Sequence, residues 1–585
     1  MARVAAQLTN FTAGELSPRL DGRNDLAKYS AGCSTVENMV IYPHGAAARR
    51  PGTQYIASVK TAAAKTRLIP FEFSTEQTYI LEFGNTYIRF YRDQGQIESG
   101  GSPYEIVSPY LTAELFDIKF AQSADVMYIT HPNHQTRKLS RTGHTSWTLT
   151  AVEFTNGPYL DTNTSTTTIS TSAHTVGAGV TMTASASTFV ATDVGRQVRF
   201  RDGYGIITAF TSVTVVTIEI LIDMGSSSSS ADWSLGSFST TTGFPSCVSF
   251  FEQRLVFAGT INNPQTVYFS KSGDYESMDA NIGGTIADDD AIIYTIASNQ
   301  VNAIRFMTST RTLIIGTAGG EFTVSGGGDN NAVTPTNILI KKQSNHGAAN
   351  VNAVSVGNAT LFLQRAKRKI RELAYNFDVD GYQAPDLTIL AEHITESGII
   401  EMAYQEEPLA ILWCVRTDGE LIALTYQREQ EVVAWHRHIL GGVFGTGNAV
   451  VESVAVIPTD DSEYELYMIV KRTINGATAR YVEYLHTFNF DETDNTSFNF
   501  LDSQLGLSKS QTTLTADINA TATTIPVASV SGLSASGKIK IGGEIIAYAA
   551  ISVLDLTGCT RGQNITTATS HLSGAVTKAV VNIIA

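Results

Sequence analysis

Acidic side chains occur in adjacent groups at several places where the chain should turn. They are Asp288, Asp289 and Asp290, then Glu406 and Glu407, and finally Asp460 and Asp461. Hydrolysis by two carboxyl groups requires both to face one cleft, whereas neighbouring residues on a strand point to opposite faces. Charged residues are rarely buried, so we interpret these groups as solvated turn residues and predict no catalytic residue among them.

Two histidines have the spacing of metal ligands. His131 and His134 stand in the sequence THPNHQ, but a zinc site needs three or four ligands and no third one is near in sequence. We interpret THPNHQ, a turn that contains proline, as the tip of a hairpin. Asp378 and Asp380 in DVDG resemble the start of a calcium loop that lacks its later acidic ligand. The sequence therefore predicts no metal and no cofactor.

Basic residues are densest in QRAKRKIREL. This segment contains Arg365, Lys367, Arg368, Lys369 and Arg371. Such clusters attract phosphates or acidic partners, although a solvated turn on an acidic protein accounts for them equally well.

A second candidate segment is WHRH. Alternation along a strand places Trp435 and Arg437 on one face and two histidines on the other, which favours an interface or an edge over acid-base chemistry. Together with the five basic residues of QRAKRKIREL, Trp435 and Arg437 form our candidate subunit or partner interface.

Signatures of common enzymes are missing from the sequence. It contains no GxxxxGK[ST], GxSxG or HExxH, so we predict that the protein is not an enzyme. Four cysteines, Cys33, Cys247, Cys414 and Cys559, lie far apart and form no CxxC pair. We interpret them as buried or half-buried thiols, with distant pairing left open.

Paired strands recur along the chain at a regular interval. Seven hairpins are marked by Tyr79, Val126, Leu255, Leu313, Leu361, Ala410 and Glu465. The steps between these markers are 47, 129, 58, 48, 49 and 55 residues, and removing an 87-residue insertion at 157–243 turns 129 into 42. A period of about 40 to 50 residues predicts a β-propeller, because each sheet leaves an apolar face that its neighbours cover.

The other segments differ in composition from the hairpins. The N-terminal residues are rich in turn-forming Pro and Gly, the insertion is rich in Thr and Ser, and the C-terminal tail carries almost no charge. The chain is thus predicted to be mainly β, an irregular propeller with two appended β modules. We expect an extended arm at 1–60, a first propeller segment at 61–156, an inserted small β module at 157–243, a second propeller segment at 244–507 and a small C-terminal β domain at 508–585.

Composition bounds the remaining possibilities. With 585 residues, 43% of them hydrophobic, the chain can bury a large core, and its best short helix is 111–124, where Leu115, Ile118 and Phe120 share a face. No apolar run approaches 18 residues, and the N-terminus shows no secretory signal, so we expect no membrane-spanning segment. A net charge of -15 disfavours a protein that grips nucleic acid through phosphates, but DNA could slide past it.

Long stretches of the chain resemble a known family. Among them are AGELSPRLDGRNDLAKYSAGC, GFPSCVSFFEQRLVFAGTINNPQTVYF and LFLQRAKRKIRELAYNFDVDGYQAPDL, in this order. Over most of residues 10–490 the chain is similar to the nozzle protein, or tail tubular protein B, of short-tailed bacteriophages (podoviruses). The resemblance implies a structural virion protein with an irregular β-propeller and extra β domains. It carries no catalytic motif.

The resemblance also implies partners. Six copies would form a tube beneath the portal and a tail adaptor similar to tail tubular protein A, with fibres or spikes around it. Double-stranded DNA would pass through during genome ejection without specific binding. The protein is then expected in the virion tail, after assembly in the host cytoplasm.

An alternative function is a carbohydrate-active or receptor-binding β-propeller of a phage tail. RTGHTSW, from Arg141, resembles an Asp-box that lacks its Asp. Acids that cluster inside one mouth of the propeller would favour such an enzyme.

Overall fold

The structure, a computed structural model, describes residues 8–75, 77–298, 300–328, 331–459, 463–488, 499–504, 511–531, 533–563 and 566–580. Over these residues the regular structure is β-strand and six short 3-10 helices, at Pro18–Leu20, Ala27–Ala31, Leu115–Asp117, Ala191–Asp193, Phe377–Val379 and Arg428–Gln430. None of the described helices is long and apolar enough to cross a bilayer. The chain divides into two compact units, one of Met1–Arg49 with Ala57–Val482 and one of Arg50–Ile56 with Glu483–Ala585.

Five short strands open the chain. They are β1 (Gly14–Glu15), β2 (Gly32–Cys33), β3 (Met39–Ile41), β4 (Ala47–Arg49) and β5 (Thr53–Ser58). The first two strands pair in parallel, and β3 pairs with β4 in an antiparallel hairpin. The predicted arm at 1–60 thus contains short strands and two short 3-10 helices over its described residues.

Seven antiparallel sheets follow in the larger unit, and we call them blades 1 to 7. Blade 1 has β6 (Arg67–Ser74), β7 (Gln77–Gly84), β8 (Tyr87–Arg92), β9 (Gly95–Gln96) and β12 (Glu105–Val107), with the hairpin β10 (Glu98–Ser99) and β11 (Ser102–Pro103) beside it. Blade 2 has β13 (Lys119–Ser123), β14 (Val126–His131), β15 (His134–Gly143) and β16 (Ser146–Ala151).

An inserted sheet interrupts the blades. It contains β17 (Ile169–Thr171), β18 (Gly177–Ala184), β19 (Gln197–Phe200), β20 (Gly203–Ser212), β21 (Val215–Ile220) and β22 (Trp233–Leu235). Its order is β17-β18-β21-β20-β19-β22, and a bridge between Tyr159 and Gly236 brings its two ends together. Apolar residues such as Phe189, Val198 and Ile218 give it a core of its own, so the predicted insertion is confirmed as a small β module.

The remaining blades come after the insertion. Blade 3 has β23 (Cys247–Phe251), β24 (Arg254–Ala258), β25 (Thr266–Phe269) and β26 (Ile292–Thr295). Blade 4 has β27 (Ile304–Ser309), β28 (Leu313–Thr317), β29 (Gly320–Gly326) and β30 (Ile338–Ser344). Blade 5 has β31 (Val354–Val356), β32 (Ala359–Leu363), β33 (Ile370–Asn376) and β34 (Gly381–Gln383).

Blades 6 and 7 complete the series. Blade 6 has β35 (Ile399–Gln405), β36 (Ile411–Arg416), β37 (Leu421–Gln427) and β38 (Val432–His438), and β1 pairs in parallel with β38. A hairpin of β39 (Val443–Phe444) and β40 (Gly447–Asn448) leads to β41 (Val450–Pro458), β42 (Tyr464–Ile474) and β43 (Ala477–Leu485) of blade 7. The amide of Val59 donates to the Arg480 carbonyl over 3.1 Å, so the N-terminal segment lies beside this blade.

Stacking between neighbouring blades explains the apolar middle strands. Leu361 and Leu363 of blade 5 pack with Leu412, Cys414 and other residues of blade 6 in one core. Another core joins blade 1 to blade 2, and a third joins blade 3 to blade 4. A sheet covered on both faces needs apolar residues on both, and burial of such area is the main stabilising term.

The seven sheets confirm the predicted β-propeller. Six of the seven marker residues lie in the second strand of a blade, and Ala410 directly precedes β36. The predicted helix at 111–124 is wrong: only Leu115–Asp117 is helical, and Phe120 lies in β13 opposite Ile129. Backbone pairing with β14 satisfies these amides, which outweighs a weak helical pattern of three apolar residues.

The smaller unit carries two further sheets. Their strands are β44 (Gln511–Thr513), β45 (Thr524–Pro526), β46 (Gly537–Ile541), β47 (Glu544–Tyr548), β48 (Ala550–Ser552), β49 (Asp555–Thr557), β50 (Thr560–Gln563) and β51 (Val576–Val580). The sheet orders are β44-β51-β46-β47-β50 and β45-β49-β48, around a core that includes Ile539 and Ile546. The predicted C-terminal β domain is confirmed. Its compact unit begins at Glu483 and includes Arg50–Ile56, whereas the predicted boundary at 508 lies outside the described residues.

Candidate functional site

A cavity of about 470 Å³ runs through the centre of the propeller. Residues from the first strand of each of the seven blades line it, as expected when the first strands are innermost. The cavity therefore lies on the axis of the blade ring, and charged side chains are among the residues that line it.

One buried ion pair holds the cavity wall. The Nε atom of Arg67, in blade 1, lies 2.9 Å from the Oε1 atom of Glu401, in blade 6. Glu401 also accepts bonds from the Ser453 hydroxyl at 2.7 Å and the Val454 amide at 2.9 Å. Arg67 further donates to the Leu115 and Ile118 carbonyls. The three bonds to the Glu401 carboxylate and the two from Arg67 to backbone carbonyls fix this pair in the cavity wall.

Lys119 is the other buried charge at the cavity. Burial lowers the pKa of this lysine to about 8, and the nearby Cys247 thiol opposes the shift only in part. The thiol itself is buried, and burial raises its pKa. A buried amine with such a pKa is partly neutral near pH 8 and more nucleophilic than an exposed lysine.

The basic segment QRAKRKIREL forms the turn between β32 and β33 and the first residues of β33. Two of its five cations bind their own chain: the Nζ atom of Lys369 lies 2.7 Å from Asp386, and Arg371 donates to Gln364 at 2.9 Å and to the Ala384 carbonyl at 2.6 Å. The other three, Arg365, Lys367 and Arg368, are exposed, and we call them the basic turn.

Backbone bonds make the basic turn rigid. The Lys367 amide donates to the Gln364 carbonyl at 2.7 Å, and the Ile399 amide donates to the Lys367 carbonyl at 2.8 Å. The Thr395 hydroxyl donates to the Arg368 carbonyl at 2.6 Å. A fixed turn with three exposed cations can meet an acidic surface with little loss of backbone entropy.

Trp435 and Arg437 are engaged within the chain. Trp435 is buried in the core between blades 5 and 6, and its indole N–H donates to the Leu387 carbonyl at 2.9 Å. Arg437 is partly buried and pairs with Glu15 of β1 at 3.0 Å. The structure does not bring these two residues to the basic turn as one surface, and a buried indole offers no area to a partner.

Carboxyl groups singled out in the sequence fall mostly in turns. Asp290 is buried and bound by Lys271 at 3.2 Å, Asp289 pairs with the same lysine at 3.4 Å, and Asp288 is exposed. Glu406 and Glu407 are exposed, and Asp460 and Asp461 lie outside the described residues.

The calcium-like segment DVDG is a short turn. Asp378 lies in a 3-10 helix, where its amide is capped by the side chain of Asn376, and Asp380 follows it with a positive φ of 46°. The Asp380 carboxylate accepts a bond from the Tyr375 hydroxyl at 2.6 Å. The four cysteines are free thiols in the structure.

His131 and His134 have a neighbour that the sequence did not indicate. His131 ends β14, His134 begins β15, and Glu114 comes from the connection between blades 1 and 2. The His134 Nε2 atom lies 2.9 Å from Glu114 Oε2, and one candidate ligand atom from each residue lies within 4.8 Å of the other two. Glu114 is 17 residues before His131, so a short motif could not find it.

The comparisons with known proteins concern fold alone. No family model and no curated protein matches this chain. It is similar to the β-propeller domain of Myceliophteria thermophila Cps50 (Swd1), at 8% identity and a TM-score of 0.34, over 74% of this chain and 99% of that one. It is also similar to U3-55K, at 7% identity and a TM-score of 0.35, over 74% of this chain and 99% of that one. A third similar structure is YCF48 bound to D1 peptide, at 10% identity and a TM-score of 0.33, over 74% of this chain and 96% of that one.

Proposed function

We propose that this protein is the tail nozzle subunit of a short-tailed bacteriophage. In this role it is a structural virion protein whose copies form the distal tail tube, through which the genome is ejected and to which fibres or spikes attach. The observation that supports the proposal is the resemblance of long sequence stretches, in order over most of residues 10–490, to the tail tubular protein B family. A propeller body with added β modules is the architecture that this resemblance implies.

The size of the central cavity bears on how a tube would form. At about 470 Å³, with the Arg67 and Glu401 pair in its wall, the cavity has no room for a DNA duplex. The conduit in our proposal therefore lies between copies of the chain, in a ring of six, and each propeller is a solid wall element. An acidic or neutral wall would let DNA slide, because a protein that neutralises phosphates holds DNA with a strongly salt-dependent affinity.

Symmetry and position in the particle test the proposal. The purified protein should form a sixfold ring, alone or on a complex of portal and tail adaptor, which light scattering and negative-stain images would measure. Antibodies against the purified protein should label the distal tail of intact particles. A trimer, or label confined to fibres or to the capsid, would contradict it.

A further inference from the structure

The cluster of Glu114, His131 and His134 joins two separate segments of the propeller. Glu114 belongs to the connection between blades 1 and 2, whereas both histidines flank the tip of the hairpin of β14 and β15. The Leu111 amide donates to Glu114 Oε2 at 2.9 Å, which fixes the carboxylate next to His134. The three side chains converge because the connection folds over the hairpin tip.

Polar atoms remain without partners at this place. His131 is 1% exposed, and its Nε2 atom has no hydrogen-bond partner among the described residues. The hydroxyl of buried Tyr110 has none either, and its ring centroid lies 5.3 Å from that of His134. Buried polar atoms are nearly always bonded, so an imidazole nitrogen without a protein partner, next to a second histidine and a carboxylate, is suited to bind a ligand.

We propose that Glu114, His131 and His134 bind one divalent transition-metal cation of the Zn²⁺ class. Two imidazole nitrogens and one carboxylate oxygen are a ligand set for zinc, cobalt or nickel, whereas Mg²⁺ and Ca²⁺ prefer oxygen ligands throughout. Three protein ligands leave a further coordination position for water. The inference is independent of the proposed virion function.

Binding requires only small changes in the cluster. His134 Nε2 and Glu114 Oε2, 2.9 Å apart, are already as close as two ligands of one metal. Ligation through Nε2 places the proton of a neutral ring on Nδ1. For His131 this removes the 3.2 Å bond that Nδ1 accepts from the Asn133 amide, so a long hydrogen bond is exchanged for a coordinate bond. The metal would tie the connection between blades to the hairpin tip.

Titration of untagged, chelator-treated full-length protein with Zn²⁺ tests the proposal. Calorimetry and elemental analysis should give about one equivalent, and thermal unfolding should shift upward with the metal. His131→Ala and His134→Ala should each weaken binding at least about 100-fold, and Glu114→Gln at least about tenfold. Co²⁺ should give the visible absorption of a site with nitrogen ligands and a low coordination number.

His174→Ala is the matched control. His174 also contacts a carboxylate, Asp223, at 3.1 Å, but these side chains are 43% and 52% exposed and no third ligand accompanies them in the described residues. The control should bind Zn²⁺ as tightly as the unchanged protein. Glu114→Gln keeps the proposal testable if the histidine variants do not fold. No stoichiometric binding, binding that survives all three cluster substitutions, or equal loss in His174→Ala would overturn it.

Discussion

Two clusters in this protein place a histidine against a glutamate at the same distance, yet their surroundings differ. In the propeller, His134 Nε2 lies 2.9 Å from Glu114, and in the C-terminal sheets His571 Nε2 lies 2.9 Å from Glu544. Arg561 donates to both oxygens of Glu544, at 2.8 and 2.7 Å, and the Gly562 and Thr569 amides add two more bonds. Glu544 is a satisfied structural anion, whereas the Glu114 cluster has His131 beside it, whose Nε2 atom has no partner in the part of the chain that the structure describes.

The pKa values follow the same difference. Burial alone would raise the pKa of Glu544, but the bonds from Arg561, the Thr569 amide and His571 outweigh it and lower that pKa to about 2. The pKa of Glu114 is also lowered against burial, with the Leu111 amide and His134 as the causes. Burial and the proximity of His134 lower the pKa of His131. A pair of residue types therefore does not define a site, because the remaining bonds decide whether it can accept a ligand.

The largest effect expected from this comparison is in Glu544→Ala. Removing the carboxylate leaves Arg561 buried without its partner, which should cost about 3 to 5 kcal/mol of the stability of the C-terminal sheets. Hydrogen exchange of β46 and β47 would measure the loss. Glu114→Ala, in metal-free protein, should leave the hydrogen exchange of β46 and β47 unchanged. If Glu114→Ala destabilised these two strands as much as Glu544→Ala does, the comparison would be wrong.

Acid should reproduce some of that loss. The pKa of Glu544 is depressed when folded, so its stabilising contribution is present above the unfolded value near 4.5 and is lost as the pH falls toward 2. Glu544→Gln should therefore flatten the dependence of stability on pH in this window. Hydrogen exchange of the C-terminal sheets at a series of pH values would measure this dependence. If stability of the variant fell with pH as steeply as that of the unchanged protein, Glu544 would not be the group responsible.

Lys119 sharpens the comparison, since it is a buried charge for which the described residues show no such set of bonds. Its pKa near 8, against 10.5 for the unfolded chain, means that the unfolded state binds more protons between these values. Stability should thus rise as the pH increases from about 8 to 10.5. Lys119→Met should remove a cost of up to about 3 kcal/mol at pH 7, measured by denaturant unfolding. A less stable variant would mean that the amine has partners worth more than its burial.

Sequence alone predicts the propeller better than its sites. The seven hairpin markers recur because each blade repeats the same buried pair of strands, and Tyr79 and Leu361 are both fully buried in their blades. That period follows from local pattern. The blade connections have no period, so the convergence of Glu114 on His131 could not be seen: it depends on how one connection folds over a hairpin.

The burial of β38, a strand that contains the polar residues of WHRH, is as hard to predict from sequence as the Glu114 cluster. WHRH indicated an interface or an edge, and β1 of the same chain pairs with this strand and brings Glu15 against Arg437. Residues 15 and 437 are far apart in the chain, and no local rule links them. The basic turn was easier, because charge in a short hairpin turn stays exposed whatever the rest of the fold.

A smaller effect is expected for His131→Leu in metal-free protein. Among the described residues the Nε2 atom of His131 has no partner, and its Nδ1 atom would lose only the 3.2 Å bond from the Asn133 amide. Replacing the ring by an apolar side chain should therefore change stability by less than about 1.5 kcal/mol. Thermal unfolding of His131→Leu and of Glu544→Ala under the same conditions would compare the two clusters directly. A loss as large as that of Glu544→Ala would place His131 among the structural groups.

The smallest effect on stability belongs to the basic turn. Arg365→Glu, Lys367→Glu and Arg368→Glu together should change the free energy of unfolding by about 0.5 kcal/mol or less per site, because none of the three has an ion pair among the described residues. Reversal of charge should nonetheless impair assembly of the proposed ring or tail, since it turns attraction to an acidic neighbour into repulsion. Lys341→Glu with Lys342→Glu, two exposed cations on β30, is the matched control.

Ejection kinetics decide where the basic turn points. If it faces a neighbouring subunit or tail partner, particles that do assemble with the reversed turn should release DNA at the unchanged rate and with the same dependence on salt. A turn that lines the conduit would instead contact phosphates, and each lost contact would reduce the salt dependence of DNA retention. Particles that assemble normally yet eject DNA at a changed rate would therefore place Arg365, Lys367 and Arg368 in the channel wall.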